Sequence, residues 1–114
     1  MELDRGAFEA LVEQALDEIP DEIGALVSNL VVLVEDDPPP DEPGLLGVYD
    51  GVSLTERGGD HSGLPDRITI FRRPLLEMSA DKVELVREIR ITVVHEIAHH
   101  FGIDDARLHQ LGYG

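Results

Sequence analysis

The string His95-Glu96-Ile97-Ala98-His99 sets two imidazoles four residues apart, with a carboxylate directly after the first. On an α-helix, residues four apart are turned by only about 40° and rise about 6 Å. Both rings then leave one face and can meet one ion at Zn–N distances near ~2.0–2.1 Å. Glu96 is displaced by about 100° around the helix. That places it beside such an ion as a base for its water and not as a ligand. Zinc lowers the pKa of water toward about 7, and a neighbouring carboxylate takes the proton as the water attacks.

Two protein ligands are too few for a tetrahedral site that keeps one position open. A third donor follows in the chain. Gly102 permits a sharp reversal, and Asp105 then arrives ten positions after His95 and six after His99. Asp104 suits a helix cap better than a ligand. His109 falls one helical turn after Asp105. His100 points about 100° away from His99 and reads as a core histidine or one that supports a ligand. His61, in a Gly-rich stretch, reads as exposed.

Several elements must hold these residues in place. Ala80 to Phe101 contains neither Gly nor Pro and carries apolar residues throughout. It reads as one long helix, or two with a break near Arg87, with Ser79 as N-cap and Gly102 in the left-handed C-cap position. Asp104 caps a last short helix through Leu111. Phe8, Leu11, Val12, Ala15, Leu16 and Ile19 recur at helical spacing, predicting a helix over 5–18 with Asp4 as cap. Pro20 ends it, and a second short helix follows over 21–26. Leu30 to Val34 is a β-branched run that reads as a buried strand. Leu45 to Tyr49 is a second strand, ended by Asp50-Gly51, with Val52 to Leu54 as a continuation after a turn. Ile68 to Phe71 is a third strand, ended by Pro74. Glu35 to Pro43 and Arg57 to Pro65 read as loops. The order of elements predicts an α+β fold in a single domain spanning 1–114: N-terminal helices, a three- to four-stranded sheet, a long site helix and a short C-terminal helix.

Composition narrows the function. There is no cysteine, which excludes disulfides, thiolate metal sites and a cysteine nucleophile, and fits a reducing compartment. Nine Lys and Arg stand against 24 Asp and Glu, a net charge of −15. Such a surface repels phosphate backbones and anionic membranes, so neither nucleic acid nor membrane is an expected partner. With no signal peptide or spanning segment in the sequence, a soluble cytoplasmic protein is the expectation.

The run from His95 to Asp105, His-Glu-Ile-Ala-His-His-Phe-Gly-Ile-Asp-Asp, resembles the HExxHxxGxxD arrangement of zincin metallopeptidases. Gly47 to Gly51, Leu64 to Phe71 and Leu108 to Tyr113 resemble the bacterial minimal zincins, small proteins similar to zinc metallopeptidases, so the resemblance covers most of the chain. It implies zinc on His95, His99 and Asp105, with Glu96 as general base. It also implies a peptide or protein substrate lying along an edge strand at Leu46 to Val52, through Gly47, Val48 and Tyr49.

Two readings follow. The first is a zinc-dependent hydrolase of the peptidase type, in which Tyr49 or Tyr113 could steady an oxyanion. The alternative is a zinc-stabilised binding module with weak or no turnover, since Met1 and Met78 both precede the motif and neither can form a methionine turn after Asp105. A metal-dependent ribonuclease with the same 0, 4, 10 ligand spacing is disfavoured by the charge of −15 and by a glutamate at position 96.

Overall fold

The structure is a computed structural model describing residues 1–27, 29–51 and 65–110. The expectations for Val52 to Leu54, Arg57 to Leu64, His61, Leu111, Gly112 and Tyr113 lie outside the described residues.

Helix α1 spans Arg5–Asp17, and the Asp4 carboxylate accepts from the Ala7 amide at 2.8 Å at its start. A single turn, α2, follows at Asp21–Gly24. The three strands are β1 (Leu30–Glu35), β2 (Gly47–Asp50) and β3 (Asp66–Phe71). Helix α3 (Arg72–Met78) leads into the long α4 (Lys82–His100), and α5 (Asp105–Gln110) closes the described chain. This is the α+β architecture, with five helices and a three-stranded mixed sheet among the described residues.

The strand order is β1-β3-β2. β1 runs parallel to β3, whereas β2 runs antiparallel to it with Tyr49 opposite Ile68. Among the described residues β2 is therefore an edge. One sheet face carries Ile68 and Ile70, both fully buried, against α4. Helix α4 contributes Leu85, Ile89, Val93 and Ile97, and α1 packs on it through Phe8, Val12 and Ala15. A buried aliphatic or aromatic side chain of this kind contributes about 1.5–3 kcal/mol by removal from water.

Three local expectations are corrected. β1 is not buried on both faces: Val31 and Leu33 are exposed, because the helices cover one side of the sheet. Pro74 does not merely end a strand. It is the third residue of α3, where the amide it lacks would have no intrahelical partner. Ser79 closes α3 by donating from its hydroxyl to the Leu75 carbonyl at 2.8 Å, and the N-cap of α4 is Asp81, which accepts from Glu84 N at 2.8 Å. α4 runs unbroken through Arg87.

Candidate metal centre and its edge strand

The last two turns of α4 carry two pairs of residues spaced by four. His95 and His99 form one pair, with ring centroids 5.9 Å apart. Glu96 and His100 form the other, turned about 100° from the first. The first pair faces Asp105 and the second faces β2.

Asp105 is delivered by the end of the helix. Gly102 has φ +80, its amide donates to His99 O at 3.1 Å, and the Ile103 amide donates to Ala98 O at 2.7 Å. These two bonds form a Schellman motif, which satisfies terminal carbonyls and reverses the chain. Asp104 then caps α5 by accepting from Arg107 N at 2.8 Å, which leaves the Asp105 carboxylate for another partner. That partner is His99, with Nε2 and Asp105 Oδ1 3.0 Å apart. The contact with His99 holds the Asp105 carboxyl below the usual carboxylate range.

The donor set fits a zinc ion on two observations. His95 Nε2 is buried without a hydrogen-bond partner, the only such side-chain nitrogen or oxygen among the described residues. A buried ring nitrogen is costly to leave unpaired. Two donors on one tetrahedral zinc lie about 3.3 Å apart, and the rings of two imidazole ligands lie about 5 Å apart. The 3.0 Å and 5.9 Å separations stand close to those values. Among the described residues no three such side chains are already gathered around one point.

The second pair meets the edge strand in matched steps. Thr92, Glu96 and His100 rise about 6 Å per step along α4, and Gly47 and Tyr49 advance about 7 Å along β2 toward Gly51 just past its end. A Cβ on Gly47 would come within 2.9 Å of Thr92 Cγ2, and one on Gly51 within 2.9 Å of His100 Cε1. Between them, the Tyr49 amide donates to Glu96 Oε1 at 3.1 Å. The Tyr49 ring stacks on His100 at 3.9 Å and 15°, and its hydroxyl donates to Asp66 Oδ2 at 2.6 Å.

The ladder explains how that amide reaches Glu96. Phe71 N donates to Leu46 O, so position 46 is a bonded pair with β3. Alternation then turns the backbone groups of positions 47 and 49 toward the open edge. Glu96 is held in line with that edge. Partial burial raises the Glu96 carboxyl above its ordinary value, against the Tyr49 amide and the charges of His99 and His95, which lower it.

Sequence reasoning reached His95, Glu96, His99 and Asp105, and the fold brings His99 to Asp105 and Glu96 to Tyr49. It missed Asp66 and the role of His100, which is exposed and stacked on Tyr49 rather than buried in the core. The signal available was the second i, i+4 pair, Glu96 and His100, beside the first. His109 is exposed on α5.

Residues 27–114 match the zincin-like metallopeptidase family. The chain belongs to that family. A solved structure of a conserved hypothetical protein from Thermus thermophilus is similar to this zincin-like chain at 28% identity and a TM-score of 0.59. The match covers 86% of this chain and 94% of that one. No curated protein matches. Among the described residues of this zincin-like protein, no helix is long and apolar enough to cross a membrane.

Proposed function

We propose that the protein is a zinc-dependent peptidase, with His95, His99 and Asp105 as the metal ligands and Glu96 as general base. The observation that carries the reading is the buried, unpartnered His95 Nε2 beside the His99–Asp105 pair. When bound, zinc supplies Lewis acidity, which acidifies water and polarises a scissile carbonyl. The protein's own residues supply the rest. Glu96, held at the strand edge by the Tyr49 amide, takes the proton of the attacking water and passes it to the departing amine.

An extended peptide is the substrate class that the edge accommodates. Gly47 turns its amide and carbonyl toward the open side of β2, and Val48 presents a side chain that is 40% exposed. The test is a peptide library exposed to the zinc-loaded protein and to Glu96→Gln. Cleavage by the first and a loss of at least about a hundredfold in the second is the expected result. Cleavage by neither, or equally by both, overturns it.

A further inference from the structure

Asp66 is the only buried acidic residue among the described residues, at 7% exposure. It lies on the core face of β3 in the same row as Ile68 and Ile70, both fully buried, where strand alternation calls for an apolar side chain. A carboxylate persists in such a position only when it is hydrogen-bonded. The phenol of Tyr49 donates to it at 2.6 Å, in the range of a bond to an ionised acceptor. The same ring is held flat against His100 at 3.9 Å. The backbone of the same residue supplies the amide that meets Glu96. One residue thus joins a buried carboxylate on β3, a ring on α4 and the carboxylate of the proposed base.

We propose that Asp66 is a positioning residue: by fixing the Tyr49 phenol, it sets how β2 lies against α4, and so holds the Tyr49 amide on the Glu96 carboxylate. The catalytic consequence rests on the peptidase reading above, whereas the geometric consequence does not. The ring is pinned at its hydroxyl by Asp66 and on its face by His100, so the backbone at position 49 has little freedom to slide along the helix. Without the phenol–carboxylate bond, the register of edge and helix loses the hydrogen bond that anchors the far end of the Tyr49 ring. The amide then no longer dwells on Glu96, and the carboxylate loses its orientation toward the open edge.

Amide hydrogen exchange at position 49 in the metal-free protein tests the geometry directly. In the otherwise wild-type chain, Glu96→Ala removes the acceptor, and protection of that amide falls about tenfold or more. The double variant Tyr49→Phe/Asp66→Leu replaces both buried polar partners with apolar groups, a change that keeps the fold. In that background the amide exchanges fast already, and adding Glu96→Ala changes it less than about twofold. Asp66→Asn still offers an oxygen to the phenol and retains the wild-type protection. Tyr49→Phe alone deletes one hydroxyl and answers the same question if the double variant does not fold.

In the zinc-loaded protein, the double variant lowers kcat about tenfold with KM and zinc affinity unchanged, whereas Asp66→Asn alone keeps the wild-type kcat. A merely structural role would lower thermal stability without separating kcat from KM. Full protection of the amide in the double variant, with an undiminished response to Glu96→Ala, overturns the proposal. If no variant cleaves any peptide, the exchange result still decides the role of Asp66, and the peptidase reading is what fails. If cleavage is normal but the amide is insensitive to Asp66, the peptidase reading stands and the positioning role fails.

Discussion

His99 Nε2 and Asp105 Oδ1 lie 3.0 Å apart, although the two residues are six positions apart and the chain reverses between them. The reversal is carried by Gly102 at φ +80 and by the amides of Gly102 and Ile103, which close onto His99 O and Ala98 O. The Asp104 cap then starts a new helix with Asp105 as its first residue. The third candidate ligand is therefore placed by backbone geometry as much as by its own side chain.

That dependence makes Gly102 a sensitive position. An L-residue at positive φ costs about 1–2 kcal/mol. Gly102→Ala is expected to lower stability by about that amount in urea titration. It is also expected to weaken zinc binding, read by competition with a chromogenic chelator, because the strain is relieved by moving Asp105 away from His99. Asp105→Asn weakens binding without the stability loss. Unchanged zinc affinity in both variants would separate the turn from the metal.

Glu96 gives a prediction whose sign is fixed by its environment. Partial burial raises its folded-state pKa, so between the ordinary glutamate value and that raised value the folded chain binds more protons than the unfolded one. Stability contributed by the protonated form is then lost as pH rises through that window. In the metal-free protein, Glu96→Gln is expected to raise the thermal midpoint at neutral pH. Below the ordinary glutamate pKa, where both states are protonated, the advantage disappears. A Glu96→Gln midpoint equal to or below wild type at pH 7 would contradict the burial argument.

Much of this was legible in the sequence because the rules involved are local. The i, i+4 histidines, the breaker at Gly102 and the caps Asp4 and Asp104 each depend on a few neighbouring residues, and the structure shows helix, turn and caps where they were expected. α3 escaped because Pro74 reads as a breaker unless the helix is known to begin two residues earlier. Asp81 rather than Ser79 caps α4 because a short helix already uses Ser79 at its end. The contacts of Tyr49 with Glu96, Asp66 and His100 join residues 17 to 51 positions apart, and no local pattern encodes the strand order that brings them together.

The seam between β2 and α4 predicts a coupled pair of substitutions. A Cβ on Gly47 would lie 2.9 Å from Thr92 Cγ2 and 3.2 Å from the Thr69 carbonyl. Gly47→Ala is expected to cost about 1–3 kcal/mol by overpacking, measured by denaturant unfolding. Thr92→Ser removes the methyl that is struck while keeping a hydroxyl for the Glu88 carbonyl, to which Thr92 Oγ1 donates at 2.8 Å. In the Gly47→Ala/Thr92→Ser double variant part of the loss is recovered. Strict additivity of the two changes would mean that strand and helix do not meet through this contact.

Metal removal separates the donors by their protonation chemistry. A ligand that binds only the folded state raises the melting temperature, so excess chelator is expected to lower the midpoint of the zinc-loaded protein. His95→Ala and His99→Ala should abolish that difference. Imidazole must be neutral to bind a metal, and histidines in general protonate near about pH 6.5. The Asp105 carboxyl is held below the usual carboxylate range and stays ionised through that interval. The acid limb of zinc affinity should therefore come from imidazole alone, approaching about two decades per pH unit when both rings compete with protons. In either single histidine variant, any residual affinity falls with only about half that slope. A slope unaffected by these substitutions, or an affinity flat between about pH 5 and 8, would remove His95 and His99 from the metal.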